Sequence, residues 1–142
     1  MGSTVIHTDL EMFLVTWLRA KLAARFEPVC ASVMVSNVEP GSTWPSKLVV
    51  VRDDGGDDTS AVTDERSIGV RVYAGSMSDP TDAIQLAHIV RSLLWQCPAV
   101  EPGNPVAAVT RLSSPIAVHD NQHAPACRYI TGDLVVVGTE FI

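Results

Sequence analysis

Charge and aromatic rings are both scarce in this chain. Charged residues make up 18% of it and aromatics 6%, against about 25% charged residues in ordinary globular chains. Apolar residues reach 46%, which excludes intrinsic disorder, since disordered chains combine low hydrophobicity with high net charge. Basic residues are the scarcer sign: ten Lys and Arg face sixteen Asp and Glu, for a net charge of −6. A groove that grips DNA by its phosphates carries a basic excess, so a general nucleic-acid binder is not expected. An acidic surface past which nucleic acid slides remains compatible. Cysteine is limited to Cys30, Cys97 and Cys127, an odd number with no CxxC, which points to neither a disulfide framework nor a zinc ribbon. Free, mostly buried thiols in a reducing compartment are the expectation. No Lys or Arg precedes Arg19, and Asp9 and Glu11 interrupt the first apolar stretch, so the N-terminus does not read as a secretory signal. Apolar runs are a few residues long, far short of a membrane span. The expectation is a soluble, intracellular protein with no membrane partner.

What is present is enough for one domain over residues 1–142, burying roughly 70% of its extended-chain surface. Thr8 and Glu11 have capping-box spacing, and Leu10, Phe13, Leu14, Trp17, Leu18 and Leu22 recur at helical steps. This predicts a helix over 9–25, closed by Pro28. Residues 29–38 are valine-rich and alternating, which predicts a strand. A loop over 39–46 leads to a second strand over 47–52, apolar enough for burial on both faces. Residues 67–74 place Ile68, Val70 and Val72 on one face and Arg71 and Tyr73 on the other, a half-exposed strand antiparallel to the second. Asp79 and Pro80 open a second helix, whose stripe runs from Ala83 to Leu94 and ends at Cys97-Pro98. A strand over 106–112, an irregular loop over 113–127 and a strand over 128–137, bent near Gly132, complete the order α-β-β-β-α-β-β. The predicted class is α+β, two helices packed on a mainly antiparallel β-sheet.

Sites for chemistry are hard to find. His119, His123 and Cys127 stand four residues apart, and one helix would bring them together as zinc ligands. Asn121 and Pro125 make that segment a poor helix, and a turn-rich loop is the plainer reading. Asp53, Asp54, Asp57 and Asp58 offer carboxylates to a hard cation, but lack the alternating spacing and closing Glu of an EF-hand loop. A solvated hairpin tip explains them as well. His7 and His88 are isolated. No nucleophile elbow, zinc-protease helix motif, P-loop or dinucleotide fingerprint occurs. No catalytic residue, metal site or cofactor is expected. Trp44 sits in a loop between Thr43 and Pro45, where it either pins a partner or folds back over the edge of the core.

Three local patterns remain. The first is a strand ending in Arg52 with Gly55 and Gly56 close behind, "VVVRDDGG". The second is "IGVRVYAG" leading into an Ala/Leu-rich helix with "AHIVRSLL". The third is Pro115, then Asp120, then Arg128-Tyr129 opening a final strand with "DLVVVG". In this order, over about residues 8–138, the chain resembles the tail terminator (tail-completion) proteins of long-tailed, non-contractile bacteriophages, especially those of actinobacterial hosts. It departs from them at Ser114-Pro115, where such proteins often carry Gly-Pro, and in the acidity that follows Arg52. The resemblance implies a virion protein, assembled in the host cytoplasm and located at the head–tail junction. It implies a homo-oligomeric ring, usually a hexamer, that ends polymerisation of the tail tube protein and docks on the head-closure or connector protein. DNA passes through its lumen without specific binding, and no catalysis is involved. Few charges and twenty valines suit a subunit that buries surface against neighbours.

Two alternatives stand beside this reading. One is another connector component, a head-closure (stopper) or adaptor protein. The other, more remote, is a small metal-dependent enzyme using the aspartate run or the His119–Cys127 segment. Within the ring reading, residues 53–66 read as a long connection with six acidic residues, Asp53, Asp54, Asp57, Asp58, Asp64 and Glu65, and one cation, Arg66. Loops of that length in compact domains are usually functional or disordered. The expectation is a loop that reaches a neighbour or the tube, or lines the channel with negative charge.

Overall fold

The structure, a computed structural model, describes residues 4–6, 9–56, 63–99, 103–119, 123–137 and 139–141. A short strand, β1 (Thr4–Ile6), precedes helix α1 (Leu10–Ala23). The helix is capped by Asp9, whose carboxylate accepts from the Met12 N–H at 3.1 Å, rather than by Thr8, which lies outside the described residues. A short acceptor at this position satisfies one of the helix's orphan donors. Glu11 is therefore released from capping. Leu10, Leu14, Val15, Leu18 and Leu22 form the buried stripe, with Phe13 and Trp17 half-buried beside it.

The expected ten-residue strand over 29–38 is mostly something else. Pro28–Cys30 form a 3₁₀ turn, and Ser32 takes a positive φ of 58°. Pro28 has no N–H for a sheet ladder and suits the first position of a helical turn. Only Met34–Ser36 remain as β2. This strand pairs in parallel with β3 (Lys47–Gly55), which pairs antiparallel with β4 (Thr63–Ala74). Both strands of that hairpin outrun their expected ends. Asp53 and Asp54 belong to β3, while Asp64, Glu65 and Arg66 belong to β4. The fourteen-residue loop is thus corrected to two strand ends and a short connection, in which Asp57 and Asp58 lie outside the described residues.

Helix α2 (Thr81–Trp95) begins two residues later than Asp79. The Asp79 carboxylate still serves its first turn, accepting from the Thr81 hydroxyl at 2.7 Å and from its N–H at 3.4 Å. These bonds hold its pKa below the ordinary 3.8. The chain continues through β5 (Val106–Leu112), β6 (Ile116–Val118), β7 (Cys127–Val137) and β8 (Thr139–Phe141). The stretch over 113–127 is not wholly irregular, since β6 within it pairs with the start of β7.

The main sheet has the order β2-β3-β4-β7-β5, with β6 also on β7, and β1 pairs β8 as a separate ribbon. Of these pairings only β2–β3 is parallel. The fold is α+β, as expected. Strand β7 is its spine: one side pairs with β4 from Cys127 to Val137, while the other is divided between β6 and β5. Both helices pack on one face of the sheet, over Val49, Val51, Ile68, Val70, Val72, Ile130, Leu134 and Val136. On the opposite face, at one end, Leu48, Val50, Tyr73, Ala124 and Cys127 form a small second cluster.

Candidate functional site

Arg66 organises the base of the β3–β4 hairpin. Its guanidinium donates to the Asp64 carboxylate at 2.7 and 3.1 Å and to Asp53 at 3.3 Å. Asp64 is buried. One cation thus neutralises two carboxylates across neighbouring strands, which explains why strand geometry continues through residues that read as loop. Cross-strand pairs of opposite charge stabilise a sheet, whereas like charges facing each other do the reverse. Of the acidic set, Asp54 and Glu65 are the two described members that face solvent.

The "DDGG" sequence closes the arm. The Asp53 carboxylate accepts from the Gly55 N–H at 2.8 Å, and a register shift lies between Asp53 and Gly55. Gly55 has φ +87°, and a Cβ on Gly56 would sit 1.7 Å from the Glu65 carbonyl oxygen. Only glycine fits that approach of backbone to backbone.

Glu11, released from the helix cap, ties this arm to α1. Its carboxylate accepts from the Asp53 N–H at 2.8 Å and from Asn37 Nδ2 at 3.0 Å. Farther along the same helix, Arg19 donates to the Val35 carbonyl of β2 at 2.9 Å. Neither role has a sequence signature, because each depends on where α1 crosses the sheet.

Beside Glu11, a cleft of about 650 Å³ is lined by Asn37, Glu39, Val50, Arg52 and Arg71. Arg52 is exposed on the sheet face away from the helices, in register with Gly69. Arg71 lies over the Tyr129 ring at 5.2 Å and approaches Glu39 at 3.8 Å. The Tyr73 hydroxyl donates to the same Glu39 at 2.8 Å. Burial, and then this acceptor, push the Tyr73 phenol well above its ordinary value. Trp44 is half-buried, with its ring 4.8 Å from that of Tyr73, and packs on the second cluster. The folded-back alternative describes it. Among the described residues the aromatics that protrude are Phe26, 88% exposed, and Trp95, 42% exposed, neither of them expected as a contact residue.

The remaining motif positions scatter. Pro115 precedes β6, Arg128 lies half-buried on β7 with its guanidinium on the Cys127 carbonyl, and Asp120 lies outside the described residues. His119 and His123 are exposed and Cys127 is buried in β7. Of that segment, residues 119 and 123–127 are described and none of them is helical. Among the described residues no three His, Cys, Asp or Glu side chains are grouped to hold a metal ion. Cys30, Cys97 and Cys127 are buried, and among the described residues none forms a disulfide; burial raises the Cys30 thiol pKa above its ordinary 9.0. No helix among the described residues is long and apolar enough to cross a membrane.

No family model matches the chain, and no curated protein is similar enough to match it. The geometry offers a charge-balanced hairpin arm, a cleft lined by Arg52, Arg71 and Glu39, and the exposed aromatics Phe26 and Trp95.

Proposed function

We propose that this chain is a structural virion protein of a long-tailed, non-contractile bacteriophage. It forms a homo-oligomeric ring, a hexamer, at the head-proximal end of the tail tube. The ring ends tube polymerisation and joins the tail to the head-closure or connector protein. It is assembled in the host cytoplasm and takes its place at the head–tail junction. Its role needs no cofactor and no catalysis, and DNA passes the lumen without specific binding.

One observation carries this reading: the strand and helix segments of the three patterns behind the resemblance are neighbours in space. "VVVRDDGG" and "IGVRVYAG" are the two strands of one hairpin, β3 and β4. "AHIVRSLL" lies in α2, which packs over that sheet, and "DLVVV" of the last pattern belongs to β7, paired with β4 along its length. Segments distant in sequence thus share the centre of the fold, with Pro115 outside it. The exposed Asp54 and Glu65 on the hairpin arm, with a net charge of −6, suit a lumen through which DNA moves without adhering.

Adding the purified chain to polymerising tail tube protein tests the reading. The expected result is tubes capped at one end by a ring in negative stain, and immunolabel at the head–tail junction of the virion. Tubes that grow unhindered, with label elsewhere, overturn it. Shortening the connection between Gly56 and Thr63 should leave the fold intact, because loop shortening changes closure entropy little. If the shortened chain still caps tubes and joins them to heads, the tip has no part in assembly.

A further inference from the structure

The two edges of the main sheet differ. At the β2–β3 edge, helix α1 plugs outward-facing backbone groups, with Arg19 on the Val35 carbonyl and Glu11 on the Asp53 N–H. At the other edge, β5 is the terminal strand, and among the described residues no strand pairs with its outer side. Its sequence, Val106-Ala-Ala-Val-Thr-Arg-Leu112, is apolar and small, with Ala107 and Thr110 exposed at the two register shifts against β7, the Thr110 hydroxyl donating to the Asp133 carbonyl at 3.2 Å. The one charge, Arg111, is already held by Asp133 at 2.8 Å. Natural sheets blunt their edges with charge, proline or cover. Here β5 has two bulges, the paired Arg111 and Arg91 at its last carbonyl, while among the described residues no strand lies against the outer side of residues 106–110.

A second observation lies directly above. Arg91 of α2 donates to the carbonyls of Leu112 and Ser113 at 3.2 and 2.8 Å, which identifies the flank of α2 on the β5 side. Ile84 and Trp95 stand on that flank at helical spacing from Arg91, and are 39% and 42% exposed. An open strand edge and an apolar helix flank therefore run side by side.

We propose that β5 is a self-association edge, pairing antiparallel with β5 of a second copy of this chain. A lone extended peptide would satisfy the strand edge but leave Ile84 and Trp95 in water. A second copy covers both, because it brings a helix layer as well as a strand. Two β5 edges joined antiparallel close about a two-fold axis, each copy presenting the same patch. The plugged β2–β3 edge keeps the joined sheet from growing further. The pair is a state of the free chain and stands apart from the ring proposed above.

Sedimentation and amide exchange at high micromolar concentration test this. The expected mass is twice 15.2 kDa, with amides of residues 106–111 exchanging about tenfold more slowly than in dilute protein. Ala107→Lys with Thr110→Lys should return the chain to the single mass, with native circular dichroism and that protection lost. Should the double-lysine variant fold poorly, Trp95→Lys, at an exposed position, carries the same test and should weaken association at least about tenfold. A wild-type chain that stays monomeric at high concentration overturns the proposal. So does an oligomer of any size whose mass survives these substitutions.

Discussion

The two edges of the sheet end in opposite ways, although both are built from short, valine-bearing strands. At the β2–β3 edge a helix reaches over and supplies an acceptor and a donor from its own side chains, Glu11 and Arg19. At the β5 edge the neighbouring helix supplies only Arg91, and only to the strand's last carbonyls. The difference lies in which side chains each helix turns toward the rim, not in the strands themselves. Edge protection in this fold is therefore a property of α1, and a single substitution on a helix can change how a strand behaves.

The largest effect serves as a control on that contrast. Leu14 of α1 and Leu86 of α2 are both fully buried, one beneath each helix. Leu14→Ala and Leu86→Ala should each cost roughly 2–5 kcal/mol in denaturant unfolding. A large inequality would mean that one helix is loosely docked, and the comparison of edges would then reflect helix stability instead of rim chemistry.

A smaller effect cuts at the rim directly. Glu11→Ala strands the Asp53 N–H and the Asn37 amide, and should cost about 1–3 kcal/mol. The Asp53 amide should then exchange faster with solvent, while amides in β7 remain protected. Glu11→Gln keeps a carbonyl acceptor and should recover part of the loss. Unchanged exchange at Asp53 would show that the plug is ornamental.

The smallest effect belongs to the β5 side. Hydrogen bonds from Arg111, and then Ser67, hold the Asp133 carboxyl below the ordinary 3.8. A depressed folded-state pKa contributes stability that is complete above the unfolded value and lost as pH falls through the folded one. Both side chains are more than a third exposed, so solvent screening limits the contribution to about 0.5 kcal/mol or less. Thermal melts of wild type and Asp133→Asn should differ slightly at neutral pH and converge as pH drops below 3.8.

The helices and the centres of the long strands were legible in the sequence because burial imposes period on them. Leu10 to Leu22 and Ala83 to Leu94 mark one face each, and Leu48 to Val51 mark a strand buried on both. The strand ends were not legible, because Asp53, Asp54, Asp64 and Glu65 resemble a solvated loop until Arg66 is seen between Asp53 and Asp64. Likewise β2 owes its place to a parallel neighbour rather than a hairpin, and nothing in "ASVMVSNV" signals that only three residues pair. The candidate site was legible in part. Arg52, Gly55 and Gly56 sit together on the hairpin arm, but the roles of Glu11 and Arg19 arise from contacts 42 and 16 residues apart in sequence. Phe26 and Trp95 were missed because exposure of an aromatic depends on what fails to cover it.

Strand β7 has a bearing on how the chain is born. Residues 63–73 find their sheet partners in residues 127–137, with a helix and two further strands made in between. While the ribosome is still adding those elements, one whole side of β4 has nothing to pair with, and α2 has only part of its floor. The first half of the chain can form its helix and hairpin early, since both are local. The sheet itself must wait for its centre to arrive, so folding is slow relative to helical chains of this size. In that interval the nascent chain carries an unpaired, valine-rich strand, the kind of surface on which chaperones act.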